Sequence, residues 1–118
     1  MKNKLKFYEK NGHLAVSFEC IDDIVGDKES LALWLIDDVG GNKTIVEQID
    51  KVVAEDMDCE EMMGNLFKIF VKQDVTEIHC IFEEEVPNIK PCKLPTKLLR
   101  EIVAVWLEEF EKYRNSKK

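Results

Sequence analysis

The sequence predicts one α+β domain over residues 1–118, a mainly antiparallel sheet built from two hairpins, with helices packed largely on one face and a long C-terminal helix. Three observations predict it. Asn11-Gly12 separates two alternating segments, a second alternating pair flanks Gln73-Asp74, and Leu99, Ile102, Val103, Trp106, Phe110 and Tyr113 recur at helical spacing.

The first hairpin follows from its turn. Asn-Gly suits a type I′ turn, whose two central residues both need positive φ. Closing the chain there pairs Leu5 with Phe18 and Phe7 with Val16 on an apolar face. Lys4 meets Glu19, Lys6 meets Ser17 and Tyr8 meets Ala15 on the other. A shift by one residue would destroy both patterns. Asp22 to Ser30 reads as a polar loop in which Asp27 or Ser30 can cap a helix starting near Leu31. Leu31 to Val39 fits either a helix or a buried strand, and the Asp27 cap with Gly40-Gly41 as a stop favours a short helix. From Lys43 to Ala54, the apolar series Ile45, Val46, Ile49, Val52 and Val53 predicts a second helix, with Glu47 and Lys51 as an ion pair on its outer side.

Glu55 to Gly64 reads as an acidic connector. Strands are expected over Asn65 to Lys72 and Val75 to Glu83, and a tight turn at Gln73-Asp74 sets Ile69 opposite Ile78 and Phe67 opposite Cys80. Phe70 and Ile81 then lie on the opposite face, where packing beneath a helix is the favoured reading and a binding surface the other. Pro87, Pro91 and Pro95 predict a stiff extended connector before the last helix, which begins near Thr96. Lys112, Arg114, Lys117 and Lys118 suit the negative end of that helix's dipole.

Composition narrows function. The chain has 24 acidic and 17 basic residues, a net charge of −7. From Cys20 to Glu61 there are 13 acidic residues against Lys28, Lys43 and Lys51, a net of −10. Such a centre repels phosphate, which argues against nucleic acid as a partner, and attracts a basic protein. No apolar run has membrane-helix length, and the basic start Met1-Lys2-Asn3-Lys4 precedes no signal-length apolar stretch. The expectation is a cytoplasmic protein without a membrane partner. Cys20, Cys59, Cys80 and Cys92 form no C-x-x-C pair and are read as buried or half-buried free thiols.

Catalytic patterns are missing. There is no G-x-G-x-x-G, Walker A, H-E-x-x-H or G-x-S-x-G motif. His79 and Cys80 are adjacent on a strand and so point to opposite faces. The chain is therefore expected to be no enzyme and to need no cofactor or metal. Any single acidic cluster is most simply a solvated surface. Together they can mimic a polyanion and fill the substrate groove of a basic nuclease.

The segments LALWLIDDVGGNKTIVEQIDKVVAE, Gly64-Asn65, IHCIFEEE and LPTKLLREIVAVWLEEF, spanning roughly Leu31 to Phe110, resemble small bacterial immunity proteins of contact-dependent growth inhibition and other polymorphic toxin systems. The resemblance is one of pattern and carries no contact residue across. It implies a protein that binds the C-terminal toxin domain of its cognate system, often a nuclease, and blocks it. Under that reading the acidic pattern nominates Asp22, Asp23, Asp37, Asp38, Glu83, Glu84 and Glu85 as toxin contacts. Two alternatives differ in class: an adaptor that self-associates through the face bearing Phe70 and Ile81, and a metal-dependent enzyme using clustered carboxylates.

Overall fold

A computed structural model describes residues 2–54, 58–82 and 89–117. After a short turn at Lys2–Lys4, the chain forms β1 (Lys6–Lys10) and β2 (His13–Ser17), which pair antiparallel. Asn11 and Gly12 have φ of 53° and 79°, so the turn takes the positive-φ form that Asn-Gly allows. Phe7 pairs with Val16 and Lys6 with Ser17, the predicted register. Leu14, Val16 and Phe18 are buried.

β3 (Val25–Gly26) is a two-residue strand. Gly26 has φ of 96°, and a Cβ there would lie 2.5 Å from the Pro91 carbonyl oxygen. Only glycine permits that approach. The next residue, Asp27, starts α1 (Lys28–Leu33), its side chain accepting from the Glu29 N–H at 3.0 Å. Its second carboxylate oxygen accepts from the Lys90 N–H at 3.3 Å, and the buried Ser30 hydroxyl donates to the Lys90 carbonyl. The helix thus starts three residues before Leu31, and its first turn anchors the approach to the last strand.

Leu31 to Val39 is helical throughout, as the cap and stop predict, but it widens. α1 runs into a π-helical segment, Trp34–Val39, closed by a Gly40 N–H to Leu35 carbonyl bond of 2.8 Å. Leu31, Trp34, Leu35 and Val39 are all buried. α2 (Thr44–Val53) buries Ile49 and Val52 completely. The Glu47–Lys51 pair does not form. α2 instead joins the last helix through Asp50, which accepts from Arg100 Nε at 2.6 Å.

The segment read as an acidic connector contains a strand, β4 (Cys59–Met63). It pairs with β5 (Phe67–Lys72), which pairs with β6 (Val75–Cys80). Ile69 faces Ile78 and Phe67 faces Cys80, as the alternation predicts. The proline-rich connector also contains a strand, β7 (Cys92–Pro95), lying between β6 and β3. The five-stranded antiparallel order is β3-β7-β6-β5-β4, and β1-β2 forms a separate two-stranded sheet. The two predicted hairpins therefore belong to different sheets joined through one core.

α3 (Thr96–Ser116) closes the fold. Leu99, Ile102, Val103 and Trp106 are buried and Phe110 and Tyr113 half-buried, the predicted stripe. Thr96, the first helical residue, is fully buried and satisfies two partners. Its hydroxyl donates to the Lys72 carbonyl and accepts from Thr76, 2.9 Å away. Because the Thr96 proton goes to Lys72, the Thr76 hydroxyl must be the donor of the pair. Two buried hydroxyls thereby tie β5, β6 and α3 at one corner.

Candidate interaction surface

Period-two alternation sorts the five-stranded sheet into two faces. Phe67, Ile69, Val71, Thr76, Ile78, Cys80, Cys92 and Leu94 are buried inward against the helices. Glu61, Met63, Lys68, Phe70, Lys72, Glu77, His79 and Lys93 point outward. Among the described residues no helix covers this outer face. The expected packing of Phe70 and Ile81 beneath a helix is not observed. Phe70 is half-buried by strand neighbours and Ile81 is exposed. All three helices bury apolar stripes on the opposite side, so none remains to cover this one.

The outer face forms a connected polar row. Lys68 Nζ lies 2.8 Å from Glu61 and 5.3 Å from the centre of the Phe70 ring. The Phe70 ring meets His79 edge-on at 5.7 Å. His79 and Lys72 each approach Glu77 at 3.5 Å. Burial works to raise the Glu77 carboxyl, but the hydrogen bonds from His79 and Lys72 and their charges outweigh it and hold the carboxyl below its ordinary value. Val25, Glu77, His79 and Lys93 border a shallow depression of about 190 Å³ at the β3 end. Val25 and Met63, at opposite edges of the sheet, are 60% and 65% exposed. Apolar side chains left uncovered at both rims of a charged sheet are what a docking surface needs.

The acidic candidates fall into three groups. Asp22 and Asp23 are exposed in the loop before β3, and Asp37 is exposed on the π-helical segment. Asp38, its neighbour, turns inward. Its Oδ1 accepts from the N–H groups of Asn65 (2.9 Å) and Leu66 (3.1 Å), and its Oδ2 from that of Phe67 (2.8 Å). Asp38 thus serves the β4–β5 turn, and the structure does not present it together with Asp37. Glu83, Glu84 and Glu85 lie outside the described residues.

A second charged network joins the first hairpin to α3. Glu9 accepts from the Tyr113 hydroxyl at 2.7 Å and from Lys117 Nζ at 2.9 Å. The Tyr113 bond first, then the Lys117 bond and charge, hold the Glu9 carboxyl below its ordinary value of 4.5. The same contacts raise Tyr113 and Lys117. A lowered carboxyl contributes stability that is complete above 4.5 and is lost as pH falls through its folded value. The raised tyrosine and lysine contribute stability that is lost as pH rises through theirs. Glu9→Gln is therefore expected to lower the urea midpoint at pH 7, with the gap to the wild type narrowing as pH falls below 4.5. A gap that did not narrow with falling pH would show that the charge of Glu9 is not what matters.

Cys80 and Cys92 are buried, whereas Cys20 and Cys59 are exposed, against the expectation of four sheltered thiols. Cys20 sits in a turn and Cys59 begins the edge strand β4, places that the core does not reach. Burial, assisted by the charge of Asp27, pushes the Cys92 thiol up to about 12, so it stays protonated and unreactive. Among the described residues, no group of three His, Cys, Asp or Glu side chains could hold a metal ion, and no helix is long and apolar enough to cross a membrane. Compared with known proteins, the chain matches no family model, no curated protein and no solved structure.

Proposed function

We propose that this chain is an immunity protein. It binds the C-terminal toxin domain of a cognate contact-dependent inhibition or polymorphic toxin system in the cytoplasm and blocks that domain's active site or substrate-binding surface. It performs no reaction of its own and needs no cofactor. The observation that carries this reading is the outer face of the five-stranded sheet, which no described helix covers and which is rimmed by exposed Val25 and Met63, on a chain of net charge −7. The sheet supplies a rigid, half-apolar platform. The negative potential, with exposed Asp22, Asp23 and Asp37 contributing, favours a basic partner such as a nuclease. The pattern resemblance supports the same reading.

Calorimetry against the toxin domain encoded by the adjacent gene tests it. The expected result is a 1:1 complex with Kd on the order of nanomolar or tighter and rescue of growth on co-expression. Reversing Asp22 and Asp23 to lysine is expected to slow association by roughly tenfold at low salt, with the difference fading as salt screens the field. Phe70→Ala with Glu77→Lys on the sheet is expected to speed dissociation instead. Absence of both binding and rescue would end this reading. Self-association through the sheet, seen in sedimentation as a concentration-dependent dimer that displaces no toxin, would replace it with the adaptor role.

A further inference from the structure

Far from the open sheet, a cavity of about 280 Å³ opens between the β1–β2 turn, the π-helical segment and the C-terminal half of α3. Half-buried Ile36 and Phe110 form apolar walls over Trp106, which is itself buried, and His13, Arg114 and Lys117 stand around them. None of its lining residues is an aspartate or a glutamate, although the chain carries 24 of them. The lining thus carries His13, Arg114 and Lys117 and no carboxylate on a protein of net charge −7, with Glu9 reaching Tyr113 and Lys117 from beside it.

The pocket is also fixed in shape. The Trp106 indole is pinned by its N–H to the Gly40 carbonyl at 2.8 Å, and its ring stands 5.8 Å from Phe110 and 6.4 Å from Phe7. The Tyr113 hydroxyl and Lys117 are held by Glu9 of the first hairpin. Glu9 neutralises Lys117 but not Arg114. The Arg114 guanidinium rests 5.9 Å from the centre of the Phe110 ring and has no carboxylate partner among the described residues. Arginine held over an aromatic wall presents its forked donors to whatever enters.

We propose that this cavity binds a small aromatic carboxylate, with the ring between Ile36 and Phe110 and the carboxylate on Arg114, assisted by His13. The volume lies at the low end for ligand pockets, which fits one fused-ring acid rather than a nucleotide or a peptide segment. The site is independent of the proposed partner surface, since it shares no residue with the outer sheet face.

The test is a titration of the full chain with 2-naphthoate, followed by amide chemical shifts, with 2-naphthylmethylammonium as a ligand of the same ring and opposite charge. Naphthoate is expected to saturate with Kd of millimolar or tighter, moving the amides of Gly12 to Leu14 and of Trp106 to Lys117. The ammonium compound is expected to bind at least tenfold more weakly. Arg114→Gln is expected to weaken naphthoate about fivefold and Arg114→Lys to restore part of the loss, each with an unchanged amide spectrum elsewhere. Equal binding of the two naphthalenes, shifts scattered outside the cavity, or no saturation at 10 mM would overturn the assignment. The two-ligand comparison uses the wild-type chain and holds even where a variant fails to fold.

Discussion

Replacing Trp106 by alanine is expected to destabilise the fold by about 3–5 kcal/mol, the range for emptying a fully buried large aromatic site. Trp106 is 1% exposed. Its ring stacks on Phe7 of the first hairpin, and its N–H satisfies the carbonyl of Gly40, the residue that ends the π-helical segment. Three parts of the chain that are remote in sequence therefore meet on one side chain. Alanine leaves a cavity and also leaves the Gly40 carbonyl without its donor. Against a typical total of about 5–15 kcal/mol, a loss of this size unfolds a measurable fraction of the molecules at 37 °C. Trp106→Phe keeps a ring but not the N–H, and is expected to cost roughly 1–3 kcal/mol, from the lost hydrogen bond and the smaller volume. Urea denaturation followed by far-ultraviolet circular dichroism separates the two variants, with the slope against urea unchanged. An alanine variant within about 1 kcal/mol of the wild type would mean that α3 is not anchored through this residue.

The elements visible in the sequence are those whose geometry is set locally. Asn11-Gly12 fixes a two-residue turn, and alternation fixes the face, so the β1–β2 register follows without knowledge of any distant contact. The same holds for β5–β6, and α3 announces itself by a stripe of six residues. β4 was hidden because its sequence, CEEMM, is acidic and poor in β-formers. Pairing on β5 makes it a strand, which is tertiary context overriding propensity. β7 was hidden by Pro91 and Pro95, which read as parts of a stiff extended connector. Pro95 is tolerated because β3 pairs only with Cys92 and Lys93, so the missing N–H at Pro95 faces no partner strand on that side. Nothing local could tell that the two hairpins occupy separate sheets, since that division depends on β3 and β7 crossing from distant parts of the chain.

The candidate site was legible only as chemistry, not as place. Asp37 and Asp38 look like one acidic pair in the sequence. On a helix, however, neighbours point about 100° apart, so one can face solvent while the other faces the fold. A signal for Asp38 did exist. Gly64-Asn65 precedes an alternating strand, and a tight turn there leaves N–H groups in need of an acceptor. Finding which carboxylate supplies it required the distance between residues 27 to 29 positions apart.

Asp38→Ala is expected to be the most damaging single change among the charged residues, at roughly 2–4 kcal/mol, because it removes three charge-assisted bonds and leaves backbone donors at the β4–β5 turn unpaired. Asp38→Asn keeps one oxygen but sets an NH₂ group against an N–H donor, so an intermediate loss is expected. Gly64 is the other half of this arrangement. A Cβ at Gly64 would lie 2.5 Å from the Asp38 carboxyl carbon, and the carboxylate cannot swing aside without giving up the same three bonds. Gly64→Ala is thus expected to cost about 1–3 kcal/mol by overpacking. The two losses should not add. Once Asp38 is shortened, the two closest contacts, to the carboxyl carbon and oxygen, are gone, its Cβ at 2.8 Å remains, and the bonds that Gly64→Ala threatens no longer exist. A double-mutant cycle in urea is expected to give a coupling of about 1 kcal/mol or more, with the double variant more stable than the sum of the single losses predicts. Additive losses would mean that the turn holds its shape without the carboxylate, and Asp38 would then return to Asp37 as a charge available to a partner.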